Sequence, residues 1–146
     1  MEQRVRRPQP YALDAGEGWI YRAGADFTVK AGEMRKGSGA AMIEYTIRPG
    51  EEPEGHTHGT EDEMFYVLEG SITFTCGDES FDLKKGGFVF LPRGIEHGYK
   101  VRGKAPVRVL VITSPTRRSA RGGWGGFVAD MEAEPKDLIA KPREKS

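Results

Sequence analysis

Along the middle of the chain, apolar and polar residues alternate with a period of two. In AMIEYTI, Ile43, Tyr45 and Ile47 fall on one side of an extended segment, with Met42, Glu44 and Thr46 on the other. In SITFTC, Ile72, Phe74 and Cys76 alternate with Ser71, Thr73 and Thr75. The pattern predicts strands near residues 27–31, 40–48, 63–69, 71–76, 80–83, 87–91, 97–102 and 106–113. Turn signals separate them: Pro49-Gly50, Glu69-Gly70, Gly77-Asp78, Gly86-Gly87 and Pro92-Arg93-Gly94. Short strands punctuated by glycine and proline indicate an all-β sandwich or barrel. Helix is expected only in FVADMEAEP, where Phe127, Val128 and Met131 form one apolar stripe before Pro135. The charged first and last dozen residues, KDLIAKPREKS included, read as tails. The expected division is an arm over 1–15, a barrel over 16–115 and an extension over 116–146.

Composition narrows the function classes. The 22 basic and 22 acidic residues cancel, so no net field draws the chain to nucleic acid or an anionic membrane. The arginine clusters Arg4, Arg6, Arg7 and Arg117, Arg118, Arg121 are short and read as solvated surface. Cys76 is the single cysteine, which excludes an internal disulfide and a cysteine-based zinc site. Its place on the apolar side of SITFTC predicts an inert, buried thiol. No stretch approaches the roughly 20 apolar residues of a membrane helix, and the N-terminus lacks the apolar core of a signal peptide. A cytoplasmic protein is the expectation.

The chemistry is concentrated in the three histidines. His56 and His58, in GHTHGTEDEMFYVLEG, are two apart, so an extended backbone turns both to one face. Glu63 opens the next β run, where its carboxylate can return to that face. His97 follows the turn in LPRGIEHGY. Three imidazoles and a carboxylate are a mixed nitrogen and oxygen donor set for Fe, Ni, Cu, Mn, Co or Zn, with positions left open for substrate.

These residues resemble the two motifs of the cupin superfamily. Gly50, His56, His58, Glu63 and Gly70 fit the first motif; Gly86, Pro92, Gly94 and His97 fit the second, with Val101 where an Asn is usual. The likeness is tight over residues 50–101 and looser over about 16–115. DEMFYVLEG and FVFLPRGIEHGY look most like the quercetin 2,3-dioxygenase-like branch of small single-domain bacterial cupins. The resemblance implies a double-stranded β-helix of two antiparallel sheets, here with a short C-terminal helical segment. It also implies one divalent transition metal ion held by His56, His58, Glu63 and His97 in the barrel mouth. Carried over by position, Glu63 is both ligand and catalytic base, in a dioxygenase acting with O2 on a small enolisable or phenolic substrate. A non-redox isomerase, cyclase or lyase, and a binding protein without turnover, are the alternatives.

Motif spacing favours Glu63 over its neighbours Glu61 and Asp62, which read as solvated loop acids; Glu96 is expected to face outward. Phe65, Val67, Ile72, Phe74, Phe88 and Phe90 line either a pocket or the core, and core is the safer assignment for each. Glu44 points to solvent or into the cavity. Trp124 and Phe127 in RGGWGGFV form a lid or, more simply, pack on the barrel. The strand-like run WIYRAGADFTVKAG precedes the barrel motif, and an unpaired edge strand is best hidden in a partner, so a homodimer is expected.

Overall fold

The computed structural model describes residues 9–32, 39–59, 61–115 and 124–143. Both arginine clusters lie outside them. The first strands are β1 (Trp19–Arg22), β2 (Asp26–Ala31), β3 (Ala41–Ile47), β4 (Asp62–Glu69) and β5 (Ser71–Cys76). There follow β6 (Glu79–Lys84), β7 (Phe88–Leu91), β8 (His97–Val101) and β9 (Val107–Ser114). A helix α1 (Trp124–Ala133), a 3-10 turn (Pro135–Asp137) and β10 (Leu138–Ala140) complete the order. The strands form a seven-stranded sheet, β10-β1-β2-β3-β9-β4-β7, and a three-stranded sheet, β6-β5-β8. Every pairing between these strands is antiparallel. This is the all-β double-stranded β-helix, and each strand predicted from the alternation lies within one residue of its expected ends.

The alternation builds the core directly. Ile43, Tyr45 and Ile47 stand opposite Val111, Val109 and Val107, and Phe65 and Val67 face the same β9 valines from the other side. Phe65 meets Phe74 of the smaller sheet at a ring separation of 4.9 Å, and both are fully buried. Closing the two sheets on such rings stabilises the barrel by roughly 1.5–3 kcal/mol per side chain. Phe65, Val67, Ile72 and Phe74 are therefore core. Cys76 is half-buried and packs against that core, and burial pushes its thiol pKa up.

Phe88 and Phe90 do neither of the things expected of them: they point outward, 55% and 49% exposed. FVFL is apolar at every position, so alternation alone does not set its phase. Register does. Val89 stands opposite Phe65 and Leu91 opposite Glu63, which turns the intervening phenylalanines out beside Met64 and Tyr66.

The ends of the chain also depart from the sequence reading. Residues 138–140, expected in a tail, form β10 and pair with β1, while β2 pairs with the other side of β1. The N-terminal strands thus find partners within their own chain. Helix α1 begins at Trp124, ahead of the expected stretch, and buries Val128 and Met131 against the barrel. Among the described residues no helix is long and apolar enough to cross a membrane.

Two turn glycines separate backbone strain from crowding. Gly50 (φ +86°) and Gly70 (φ +92°) both adopt the conformation that side chains resist. At Gly50 an added Cβ meets nothing, whereas at Gly70 it comes 2.9 Å from the Pro106 carbonyl oxygen. Gly50→Ala should cost about 1–2 kcal/mol from the backbone alone. Gly70→Ala should cost roughly 1–3 kcal/mol more, because β9 must move to admit the methyl. Urea denaturation midpoints check this, and equal losses would contradict it.

Candidate metal centre

Two pieces of chain on the smaller sheet's side and one strand of the larger sheet build the site. Residues around His56 run extended beside β8, and His56 and His97 exchange backbone hydrogen bonds of 2.9 Å each. His58 follows two residues on, and its carbonyl accepts from the Gly94 amide at 2.8 Å, tying it to the turn before His97. From the larger sheet, β4 sends Glu63 inward on the face that carries Phe65 and Val67. The three imidazoles lie 4.7–5.0 Å apart, centroid to centroid. One ligand atom from each of His56, His58, Glu63 and His97 falls within 4.8 Å of all the others. All four sequence-predicted residues are therefore brought together.

Hydrogen bonding decides what the rings present. His56 Nδ1 lies 3.0 Å from the Glu54 carbonyl oxygen and His97 Nδ1 lies 3.4 Å from that of Ile95. A carbonyl only accepts, so the 3.0 Å contact makes Nδ1 of His56 the protonated nitrogen, and its Nε2 keeps the lone pair for the interior. Glu63 is 1% exposed, and among the described residues its carboxylate oxygens face only the imidazole nitrogens. Its Oε2 stands 2.6 Å from His97 Nε2 and 3.7 Å from His58 Nε2. An ionised carboxylate buried without partners is costly unless a cation compensates it. Convergent imidazole nitrogens add no such charge while neutral. The donor set fits a divalent ion with bonds of about 2.0–2.2 Å, and these residues could hold one.

The neighbouring acids take distinct roles. Asp62 opens β4 and is only half-exposed. Its carboxylate accepts from the Arg93 amide at 3.0 Å and from the Arg93 guanidinium at 3.0 and 3.2 Å. These hydrogen bonds hold the Asp62 carboxyl below the usual range. They also clamp the turn that delivers His97 onto the strand that delivers Glu63. Glu61 is buried, at 1% exposure, and is not the solvated acid expected. It shares the parity of Glu63 and stays inside where Asp62 turns out, yet it is not a member of the four-residue cluster. Glu96 faces outward as expected. Glu44 lies on the outer face of β3, 3.6 Å from Lys30 and 3.1 Å from Arg108.

A cavity of about 400 Å³ opens beside the cluster, and His56, His58, five aromatic rings, Arg48 and Glu51 are among the residues that line it. Trp124 and Phe127 pack on the barrel and form part of that lining. Trp124 sits 5.1 Å from Tyr45, and Phe127 sits 5.2 Å from Phe27. Tyr45 of β3 and Tyr99 of β8 also line the cavity, their hydroxyls 2.6 Å apart. Burial is the main cause that raises the Tyr45 phenol well above its ordinary pKa and pushes that of Tyr99 up to about 12. Sequence reading missed both as site residues. The signal was present: Tyr45 is on the inward side of AMIEYTI, and Tyr99 shares the parity of His97.

Comparison with known proteins agrees with this architecture. Residues 43–113 match the family model described as "Cupin domain". The TcmJ protein of the tetracenomycin polyketide synthase of Streptomyces glaucescens is 30% identical over 66% of this chain and 62% of that protein. Quercetin 2,3-dioxygenase of Bacillus subtilis is 27% identical over 63% of this chain and 28% of that protein. This chain thus spans less than two thirds of either relative. The cupin domain of Schizosaccharomyces pombe Cnp3 superposes with a TM-score of 0.57 at 23% identity, over 65% of this chain and 67% of that one. The matched region contains the whole His56, His58, Glu63 and His97 cluster and the strands that close around it, so residues 43–113 form a cupin domain.

Proposed function

We propose that His56, His58, Glu63 and His97 hold one divalent transition metal ion, and that the protein is an enzyme acting through it on a small enolisable or phenolic substrate. Dioxygenation of the quercetin 2,3-dioxygenase type is the reaction it supports best. The observation that carries the proposal is the buried Glu63 carboxylate, whose Oε2 lies 2.6 Å from His97 Nε2 and 3.7 Å from His58 Nε2 where three imidazoles converge. Such a group needs a cation, and a nitrogen and oxygen donor set suits Fe, Ni, Cu, Mn, Co or Zn. The likeness to quercetin 2,3-dioxygenase supports the oxidative form.

When bound, the ion supplies Lewis acidity toward a substrate oxygen and, if redox-active, a route to O2 chemistry. The protein supplies the rest. His56 is locked by its backbone contact with Nε2 inward, so it acts as a ligand and carries no proton to the substrate. Glu63 is the carboxylate of the cluster that can take the acidic proton of an enol or phenol, at Oε1 or Oε2. Phe27, Tyr45, Trp124 and Phe127 give the substrate ring an apolar wall and keep water from it. Similarity to a polyketide synthase protein favours a second, non-redox reading, in which the same ion acts only as a Lewis acid.

Removing any one imidazole should strip the site. His56→Ala, His58→Ala and His97→Ala should each lower bound metal at least tenfold by equilibrium dialysis against Co(II) or Zn(II). Unchanged occupancy in all three would remove the metal reading. Glu63→Gln should keep part of the metal yet lose turnover by roughly 10²–10⁴. Activity that simply tracks occupancy in that variant would leave Glu63 a ligand alone.

An oxygen electrode separates the two chemistries. With enolisable phenols, oxygen uptake should appear with a redox metal and vanish with zinc; turnover by the zinc protein under argon would place the reaction in the non-redox class. We also infer a homodimer, supported by the exposed Tyr66, Phe88 and Phe90 on the outer face of β4 and β7. Light scattering should then give twice 16.2 kDa, and a monomer mass at micromolar concentration would contradict it.

A further inference from the structure

The Tyr45 and Tyr99 hydroxyls form a buried pair that the metal chemistry above does not use. Tyr45 comes from the larger sheet and Tyr99 from the smaller one. Their oxygens are 2.6 Å apart, and the side chains are 7% and 6% exposed. Two hydroxyls carry two protons, and their mutual hydrogen bond occupies one. Whichever oxygen accepts keeps its own O–H, and among the described residues neither hydroxyl makes any other hydrogen bond. A buried donor without a partner is unfavourable, and this one lies in the wall of the cavity that His56 and His58 also line.

We infer that this spare O–H is a substrate contact: it donates to a second oxygen of a molecule whose first oxygen goes to the His56, His58, Glu63 and His97 centre. The inference rests on the metal-centre reading and narrows its substrate class. His97 and Tyr99 point to the same side of β8, and residues two apart on a strand are separated by roughly 6.5–7 Å. Oxygens held at the two places therefore belong to one compact fragment. The class is a small molecule with two oxygens on one skeleton, such as a catechol, an enediol or a hydroxyketone, in preference to a monophenol. The aromatic wall formed by Phe27 and Trp124 accommodates the ring that carries them.

The test uses the full chain loaded with Co(II), the probes 4-nitrocatechol and 4-nitrophenol, and visible absorption to follow binding. The variant is Tyr45→Phe/Tyr99→Phe, which removes both hydroxyls together and leaves neither oxygen orphaned. Cobalt content should be unchanged. Affinity for 4-nitrocatechol should fall roughly threefold to tenfold, the range of one neutral hydrogen bond, while that for 4-nitrophenol should hold. Equal loss for both probes, no loss, or loss of the cobalt itself would make the pair a cross-sheet tie and overturn the assignment. Wild-type protein that binds 4-nitrocatechol no better with cobalt than without would remove the metal reading, and the inference with it.

Discussion

The carboxylate of Glu63 sets the terms for everything around it. It is a charge-bearing group at 1% exposure that, among the described residues, faces only imidazole nitrogens, on a strand face it shares with Phe65 and Val67. Such a position persists only where neighbouring groups can compensate it, and three imidazole edges converge there. The requirement reaches into the fold because Glu63, Phe65 and Val67 share one face of β4. A slip of one residue against β9 would turn all three outward and bring Met64 and Tyr66 in. Core and site therefore specify the same register. The Asp62 clamp on Arg93 reinforces it from outside, joining the start of β4 to the turn that leads to His97.

The sequence made the barrel and the four clustered residues legible for different reasons. Strands were readable wherever alternation was clean, as in AMIEYTI, because one face had to be buried and the other did not. The cluster was readable because His-x-His on an extended chain leaves little choice of side, and because the only other histidine sits at a turn-bounded strand start. What stayed hidden lacked a local signal. FVFL is apolar throughout, and its phase came from pairing with β4. Residues 138–140 are surrounded by charges, and their strand exists only because β1 offers an edge more than a hundred positions away. Glu61 looked no different from Asp62, since a run of three acids does not say which of them turn inward. The Tyr45 and Tyr99 contact joins two sheets, and no periodicity within either strand reports a partner in the other.

The helix shows how far the cavity depends on sequence outside the barrel. Val128 and Met131 anchor it to the core, and this anchoring places Trp124 against Tyr45 and Phe27. The nitrogen and oxygen donors come from residues 56–97, but part of the apolar wall arrives from beyond residue 123. The donor set and part of the cavity wall are thus carried by separate stretches of chain. Substitutions in α1 can reshape the wall while leaving the donor set in place.

The pairing of β1 with β10 has a consequence for the nascent chain. Ile20 stands opposite Ala140, so the outer edge of β1 has no partner until 120 further residues have been joined. At synthesis rates of about 5–20 residues per second, that interval is roughly 6–24 s. Throughout it the ribosome displays a strand with open amides and carbonyls on one side, next to sheet that is already competent to form. The period of greatest exposure to wrong pairing therefore falls during translation, and it ends with one of the shortest strands in the protein.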